Sequence, residues 1–122
     1  MKQIDIYAIG HCNSMGDCKN GYYEVITTYK SHAKQVVSEI IDNTTANRVI
    51  IKGVLDAIRS LKEPCHIRIH TKTPLGFKTW KSSINKDLLE QILTTCKEQG
   101  YEFEYDVINQ KDYTRVKRAY NL

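Results

Sequence analysis

Apolar residues in this chain recur with two different spacings, and the change between them separates strands from helices. Over residues 3–9, Ile4 and Ile6 alternate with polar neighbours, a period of two that predicts a strand with one buried face. Residues 22–30 are dense in β-branched and aromatic side chains and predict a second strand, and residues 34–41 predict a third. The short polar turn between the second and third strands predicts a hairpin.

The middle of the chain changes to helical spacing. From residue 47 to residue 62 the apolar side chains fall three and four positions apart, which predicts an amphipathic helix after several candidate N-caps. Pro64 ends it, and residues 65–70 alternate again as a fourth strand. Because a strand reached through a helix usually pairs in parallel, we expect the fourth strand to pair with the first.

The last third of the chain continues the alternation of helix and strand. Residues 86–99 predict a helix that Asn85 caps and a glycine ends. Residues 101–108 alternate aromatic and acidic side chains as a fifth strand, and residues 112–120 predict a short basic helix. Residues 75–81 fit either a short helix or a loop.

The order of these elements predicts one fold class. Three strands, a helix, a strand, a helix, a strand and a helix form an α/β (α+β) arrangement, with a mixed five-stranded sheet flanked by helices. We expect a single domain over residues 1–122, because 14.1 kDa is an ordinary size for one hydrophobic core. With 41% hydrophobic and 26% charged residues, the composition is that of a folded chain.

Charge and cysteine content narrow the possible functions only slightly. The formal net charge of +4 mildly favours a polyanionic binding partner. Asp5 interrupts the N-terminal apolar stretch and no long apolar run follows, which argues against a signal peptide or a membrane span and predicts a cytoplasmic location. Four cysteines without a CxxC pair are expected as free thiols rather than as disulfides or a zinc site.

Short motifs along the chain resemble those of a known family. Residues 44–48 (TTANR) open the first predicted helix, residues 61–65 (LKEPC) close it, and residues 70–73 (HTKT) end the fourth strand. This series is similar to the TTNNR, LKEPC and TDS motifs of ribonuclease H type 1. Residues 7–13 (YAIGHCN) look like the family's (Y/F)TDGSC strand, and residues 21–26 (GYYEVI) look like its GGYGAI strand.

The resemblance extends over about residues 4–110 and implies an RNase H-like fold. In that fold strands 1–3 are antiparallel, and strands 4 and 5 run parallel to strand 1. The family cleaves the RNA strand of an RNA–DNA hybrid with two Mg²⁺ ions held by four carboxylates.

This chain departs from the family pattern at the carboxylates. The corresponding positions are Ile9, Ile50 and Lys72, and, in the more loosely matched C-terminal helix, Lys117. The comparison therefore predicts no catalytic residues, no metal ligands and no cofactor.

The same four positions have structural explanations. Strand 1 and the first helix face one another in this fold, so Ile9 and Ile50 are expected in contact as an extension of the core. The two lysines are expected to be solvated. The functional alternative is that Lys72 and Lys117 form a cationic patch that meets a phosphate directly.

The family contacts its substrate through the loop after strand 1 and the start of the first helix. Asn13, Thr45 and Asn47 stand at the matching positions, although Thr45 and Asn47 are equally suited to capping the helix. Trp80 lies near two lysines, a combination suited either to stacking on a nucleotide or to covering the core. The candidate phosphate contacts are Lys72, Lys78, Lys81, Arg115, Lys117 and Arg118.

Two functions from different classes follow from the sequence. The first is a catalytically inactive ribonuclease H-like protein that binds RNA–DNA hybrid or another duplex such as double-stranded RNA. The alternative is a protein-interaction or structural module with the same fold, whose partner is a protein. An active hybrid ribonuclease is the least favoured, and no membrane partner is expected.

Overall fold

The computed structural model describes residues 1–13 and 18–122, except for the side chain of Gln110. The strands are β1 (Lys2–His11), β2 (Tyr22–Tyr29), β3 (His32–Val37), β4 (Cys65–Thr71) and β5 (Glu102–Val107). The helices are α1 (Ala46–Arg59), α2 (Lys86–Gln99) and α3 (Gln110–Ala119). None of the helices in the described part of the chain is long and apolar enough to cross a membrane.

The strands form one five-stranded sheet in the order β3-β2-β1-β4-β5. Neighbours in β1–β2 and β2–β3 are antiparallel, whereas β4 is parallel to β1 and β5 is parallel to β4. The predicted fold class and the parallel pairing of the first and fourth strands are therefore confirmed.

Alternation along β1 separates two layers of apolar side chains. Ile4, Ile6 and Ala8 face α1 and α2 and belong to the main core. Ile9 faces the other side of the sheet, where it clusters with Ile26 and α3. The sheet is thus covered by two helices on one face and by a single helix on the other.

The hairpin between β2 and β3 differs from its prediction. The predicted turn included His32, but His32 pairs with Tyr29 and begins β3, so the turn is only Lys30 and Ser31. Lys30 adopts a left-handed φ of 54°, the conformation that a two-residue hairpin requires. The strand also ends at Val37, earlier than residue 41, where the predicted third strand ends.

Other boundaries differ by a few residues. α1 ends at Arg59, where the Ser60 hydroxyl bonds back to the Ala57 carbonyl, and not at residue 62. Phe77–Ser82, which the sequence left open, forms 3-10 turns. Asn85 precedes α2, but its side chain makes no capping hydrogen bond, contrary to the prediction.

Candidate nucleic-acid interface

The parallel strands β1 and β4 end beside the start of α1, and this end of the sheet carries the motif residues. Gly10 allows the helix to approach the strand closely. A Cβ at Gly10 would lie 2.8 Å from Ile50 Cγ1 and 3.2 Å from the Ala46 carbonyl oxygen. Ile50 is therefore seated on Gly10 and is 5% exposed.

Ile9 and Ile50 do not pack together as expected from the sequence. Ile50 belongs to the main core, whereas Ile9 belongs to the cluster on the opposite face of the sheet. The reason is the period of two in β1: Gly10 faces the helix α1, so its neighbour Ile9 faces away from it. Each isoleucine still extends a core, but the two cores are different.

Tyr113, rather than Lys117, is the α3 residue beside Ile9. Tyr113 is 1% exposed and clusters with Ile9 and Ile26. Lys117 follows one helical turn later, which is about 6 Å further along the helix axis. The assignment of Lys117 to the fourth carboxylate position stays a prediction, because the family motif matches loosely in this helix and Tyr113 is the residue packed against Ile9.

The Tyr113 hydroxyl is buried and has no hydrogen-bond partner among the described residues. Burial, followed by the nearby charge of Glu24, raises the pKa of Tyr113 to about 12, while the Gln35 side chain close by acts in the opposite direction without meeting hydrogen-bond geometry. Tyr113 is therefore a neutral, apolar filling for the space between α3 and the sheet.

A histidine–glutamate pair stands next to this cluster. His11 Nε2 lies 2.6 Å from Glu24 Oε2, and the imidazole stacks on the Tyr22 ring with centroids 4.4 Å apart. Ile9 is the cross-strand partner of Glu24, so the side chains of Ile9 and of the His11–Glu24 pair lie on the same face of the sheet. Sequence analysis missed this pair and Tyr113, since recognising them requires the register of β1 against β2 and the placement of α3.

The residues present here do not fit a pair of Mg²⁺ ions. Ile9, Ile50 and Tyr113 offer no charged oxygen, and Lys72 is cationic. On the same face as Ile9, Glu24 is already paired with His11 and Asp5 with His70. Within residues 1–13 and 18–122, no group of three or more His, Cys, Asp or Glu side chains is arranged to hold a metal ion.

Lys72 follows β4 directly and is exposed. The turn after it is held by Tyr105, whose hydroxyl donates to the Thr73 carbonyl at 2.7 Å and accepts from the Leu75 amide at 3.0 Å. The Thr73 hydroxyl donates to Asn47 Oδ1 at 3.3 Å, so the turn is tied to the start of α1. Lys72 thus extends from a fixed backbone at the motif end of the sheet.

Asn13 and Thr45 are the two other predicted groove contacts, and Cys18 links them: it contacts Asn13 and bridges to Thr44. Thr45 caps α1, since its hydroxyl accepts from the Arg48 amide at 3.2 Å, and this cap supports the structural explanation given above. Asn13 is exposed, and its Oδ1 lies 3.7 Å from Cys18 Sγ. All four cysteines are free thiols, and burial raises the pKa of Cys12 to about 11.

The remaining candidate residues lie in two other places. Trp80 packs half-buried against the main core with Lys81 Nζ 5.8 Å from its ring, while Lys78 is exposed. These residues sit on the α2 side of the sheet. Arg115 and Arg118 line a shallow groove of about 350 Å³ along α3, on the other face. The fold therefore brings Thr45, Asn47 and Lys72 together but separates them from Trp80.

Comparison with known proteins places the chain in a family. It is 34% identical over 104 residues to ribonuclease HI of Pasteurella multocida, covering 75% of this chain and 66% of that protein. It is 34% identical over 85 residues to ribonuclease HI of Xylella fastidiosa, covering 67% of this chain and 55% of that protein. The chain thus spans less than two thirds of the length of these relatives, and no family model matches it.

Solved structures agree with this placement. LC11-RNase H1, isolated from compost by a metagenomic approach, superposes with a TM-score of 0.70 at 17% identity, covering 99% of this chain and 94% of that one. LC11-RNase H1 in complex with an RNA/DNA hybrid gives a TM-score of 0.65 at 15% identity, covering 97% and 94%. The fold is that of the ribonucleases H. The chain belongs to the ribonuclease H type 1 family.

Proposed function

We propose that this protein is a catalytically inactive ribonuclease H that binds RNA–DNA hybrid or double-stranded RNA without metal-dependent cleavage. Its relatives are ribonucleases H, and a protein of the same fold has been solved in complex with an RNA/DNA hybrid. The observation that carries the proposal is that Ile9, Ile50 and Lys72 stand where the family resemblance expects metal-binding carboxylates, and that α3 packs the uncharged Tyr113 against Ile9.

Electrostatics explains why loss of the metals need not abolish binding. Two Mg²⁺ ions carry four positive charges, which only a cluster of carboxylates holds together. With the carboxylates present and the metals absent, a phosphate would be repelled. Lys72 removes that repulsion, because its ammonium group attracts a phosphate without an intervening ion.

The proposed surface combines the motif end of the sheet with α3. Asn13, Thr45 and Asn47 supply polar groups for the minor groove of an A-like duplex. Phosphate contacts on this surface are assigned to Lys72, Arg115, Lys117 and Arg118. Lys78, Lys81 and Trp80 lie apart on the α2 side, and their phosphate and stacking contacts stay predictions from the sequence. No cofactor takes part in this proposal.

The test separates binding from cleavage. Purified protein is incubated with RNA–DNA hybrid, duplex RNA, duplex DNA and single strands, with Mg²⁺, Mn²⁺ or EDTA. We expect binding of hybrid or duplex RNA in EDTA, and no strand cleavage with either metal. Metal-stimulated cleavage that co-purifies with the protein through successive columns would falsify the inactive assignment.

A protein-interaction module is the second candidate function. It is favoured by the exposed apolar side chains of Val36, Val37 and Ile40 at the β3 edge. If the protein binds none of the nucleic acids at low salt, this second function takes the place of the first.

A further inference from the structure

The strand β3 forms one edge of the sheet, and among residues 1–13 and 18–122 its only neighbouring strand is β2. The even-numbered residues of β3 direct their backbone amide and carbonyl groups towards β2. Lys34 and Val36 pair with β2 in this way, and beyond the strand the Ser38 amide donates to the Tyr23 carbonyl at 2.9 Å. Because antiparallel bonding alternates, the amide and carbonyl groups of Gln35 and Val37 point away from the sheet. In the part of the chain that the structure describes, no other strand covers them.

The side chains along this edge are more apolar than an unpaired edge usually is. Val36 is 40% exposed, Val37 is 55% exposed and Ile40 is 58% exposed. Natural sheets commonly protect free edges with charges, prolines or bulges. Here Lys34 is the only charged residue within the central run from residue 33 to residue 38.

The charged residues around this run indicate which partner could pair with the free edge of β3. Lys30 and His32 precede it, Lys34 lies near its beginning, and Glu39 and Asp42 follow it. In an antiparallel pair of identical strands, the beginning of each faces the end of the other. Two copies of this edge would therefore bring basic residues opposite acidic ones twice, whereas parallel pairing would oppose like charges.

We propose that the β3 edge is a self-association surface, through which two copies of this chain pair antiparallel and join their sheets. With the two-fold axis at Val36, the two Val36 side chains meet, and Gln35 of each copy pairs with Val37 of the other. Both Gln35 and Val37 have the outward amide and carbonyl groups that such a pair exchanges. This proposal is independent of nucleic-acid binding.

Sedimentation equilibrium of the full chain over a concentration series tests the proposal. We expect the mass to rise from 14.1 kDa towards twice that value. Gln35→Pro removes one outward donor but leaves the inward bonds of β3 intact, so it should keep the mass at that of the monomer with an unchanged circular dichroism spectrum. Ile84→Lys is the matched control, since Ile84 is 91% exposed far from β3 in sequence, and it should dimerise like the parent.

Charge variants test the orientation separately. With the axis at Val36, Lys34 of one copy and Glu39 of the other lie one residue out of register and are neighbours rather than direct partners. Lys34→Glu and Glu39→Lys each bring like charges near one another at both ends, and each should weaken dimerisation by up to about tenfold. An equimolar mixture of the two variants restores opposite charges and should regain the parent mass. A monomer at every concentration, a dimer unaffected by Gln35→Pro, or a mixture no heavier than its components would each overturn the proposal.

Discussion

Tyr113 shows how a single residue changes the chemistry of the site. Its ring fills the space beside Ile9, while its hydroxyl is buried with no hydrogen bond among the described residues. A buried hydroxyl without a partner costs on the order of 1–3 kcal/mol of stability. The side chain therefore stabilises the fold through its ring and not through its polar atom.

The first prediction follows from the different contributions of the Tyr113 ring and the Tyr113 hydroxyl to stability. Tyr113→Phe keeps the ring and removes the unpaired hydroxyl, so the free energy of unfolding should stay unchanged or rise by up to about 1 kcal/mol. Tyr23→Phe is the matched control, because the Tyr23 hydroxyl donates to Asp56 at 2.7 Å and its loss should cost about 1 kcal/mol. Urea unfolding measures both. A larger loss for Tyr113→Phe than for Tyr23→Phe would contradict the unpaired state of the hydroxyl.

Ile50 provides the second prediction at this scale. Ile50→Glu puts a carboxylate against Gly10 in the main core, at a site that is 5% exposed. Burying it should cost several kcal/mol out of a total stability of roughly 5–15 kcal/mol, so the variant should melt at a markedly lower temperature. Ile84→Glu, on an exposed residue, should melt close to the parent. If Ile50→Glu melts at or above the parent and becomes Mg²⁺-dependent, the pocket is open to metal.

At the scale of elements, an ion pair joins the starts of the two long helices. Arg48 on α1 makes two hydrogen bonds to Asp87 on α2, at 2.9 Å and 2.7 Å. The hydrogen bond from Arg48 lowers the pKa of Asp87 from 3.8 to about 2. Since Asp87 is largely exposed, solvent screening limits the contribution of the pair.

The third prediction concerns the pH dependence of this pair. A carboxyl group whose pKa is lower in the folded state adds stability above its unfolded pKa and loses that stability as the pH falls through the folded value. Asp87→Asn should therefore lower the free energy of unfolding by about 0.2–1 kcal/mol at pH 6, and the difference should shrink between pH 4 and pH 2. Urea unfolding of parent and variant at several pH values measures it. A difference that is constant down to pH 2 would show that the pair does not titrate as described.

The elements were largely predictable from sequence, and their contacts were not. Periodicity locates α2 at residues 86–99 as observed, because a helix buries one side over many turns and leaves a long signal. The β2–β3 turn was misplaced because the left-handed backbone of Lys30 has no glycine to mark it. Tyr113 and the His11–Glu24 pair depend on contacts between distant elements, which local patterns do not report.

At the scale of the whole molecule, the proposed loss of the carboxylates would change what the site can attract. A nucleic-acid duplex presents an array of backbone phosphates to the protein, and binding releases the counterions condensed on those phosphates. Each phosphate neutralised by a lysine or arginine contributes roughly −0.9 to the slope of log K against log salt on B-form DNA, with the same sign expected on a hybrid. The number of such contacts is therefore measurable without a structure of the complex.

The last prediction assigns one of these contacts to Lys72 and another to Lys117. Because their ammonium groups attract phosphate directly, binding of RNA–DNA hybrid should not change when EDTA is added. Lys72→Ala and Lys117→Ala should each weaken binding alike on all sequences and flatten the salt slope by about one unit. Lys97→Ala, an exposed lysine at the end of α2, is the matched control and should leave the slope unchanged. The experiment is a salt series on one hybrid with EDTA present, and identical slopes for parent and Lys72→Ala would remove Lys72 from the interface.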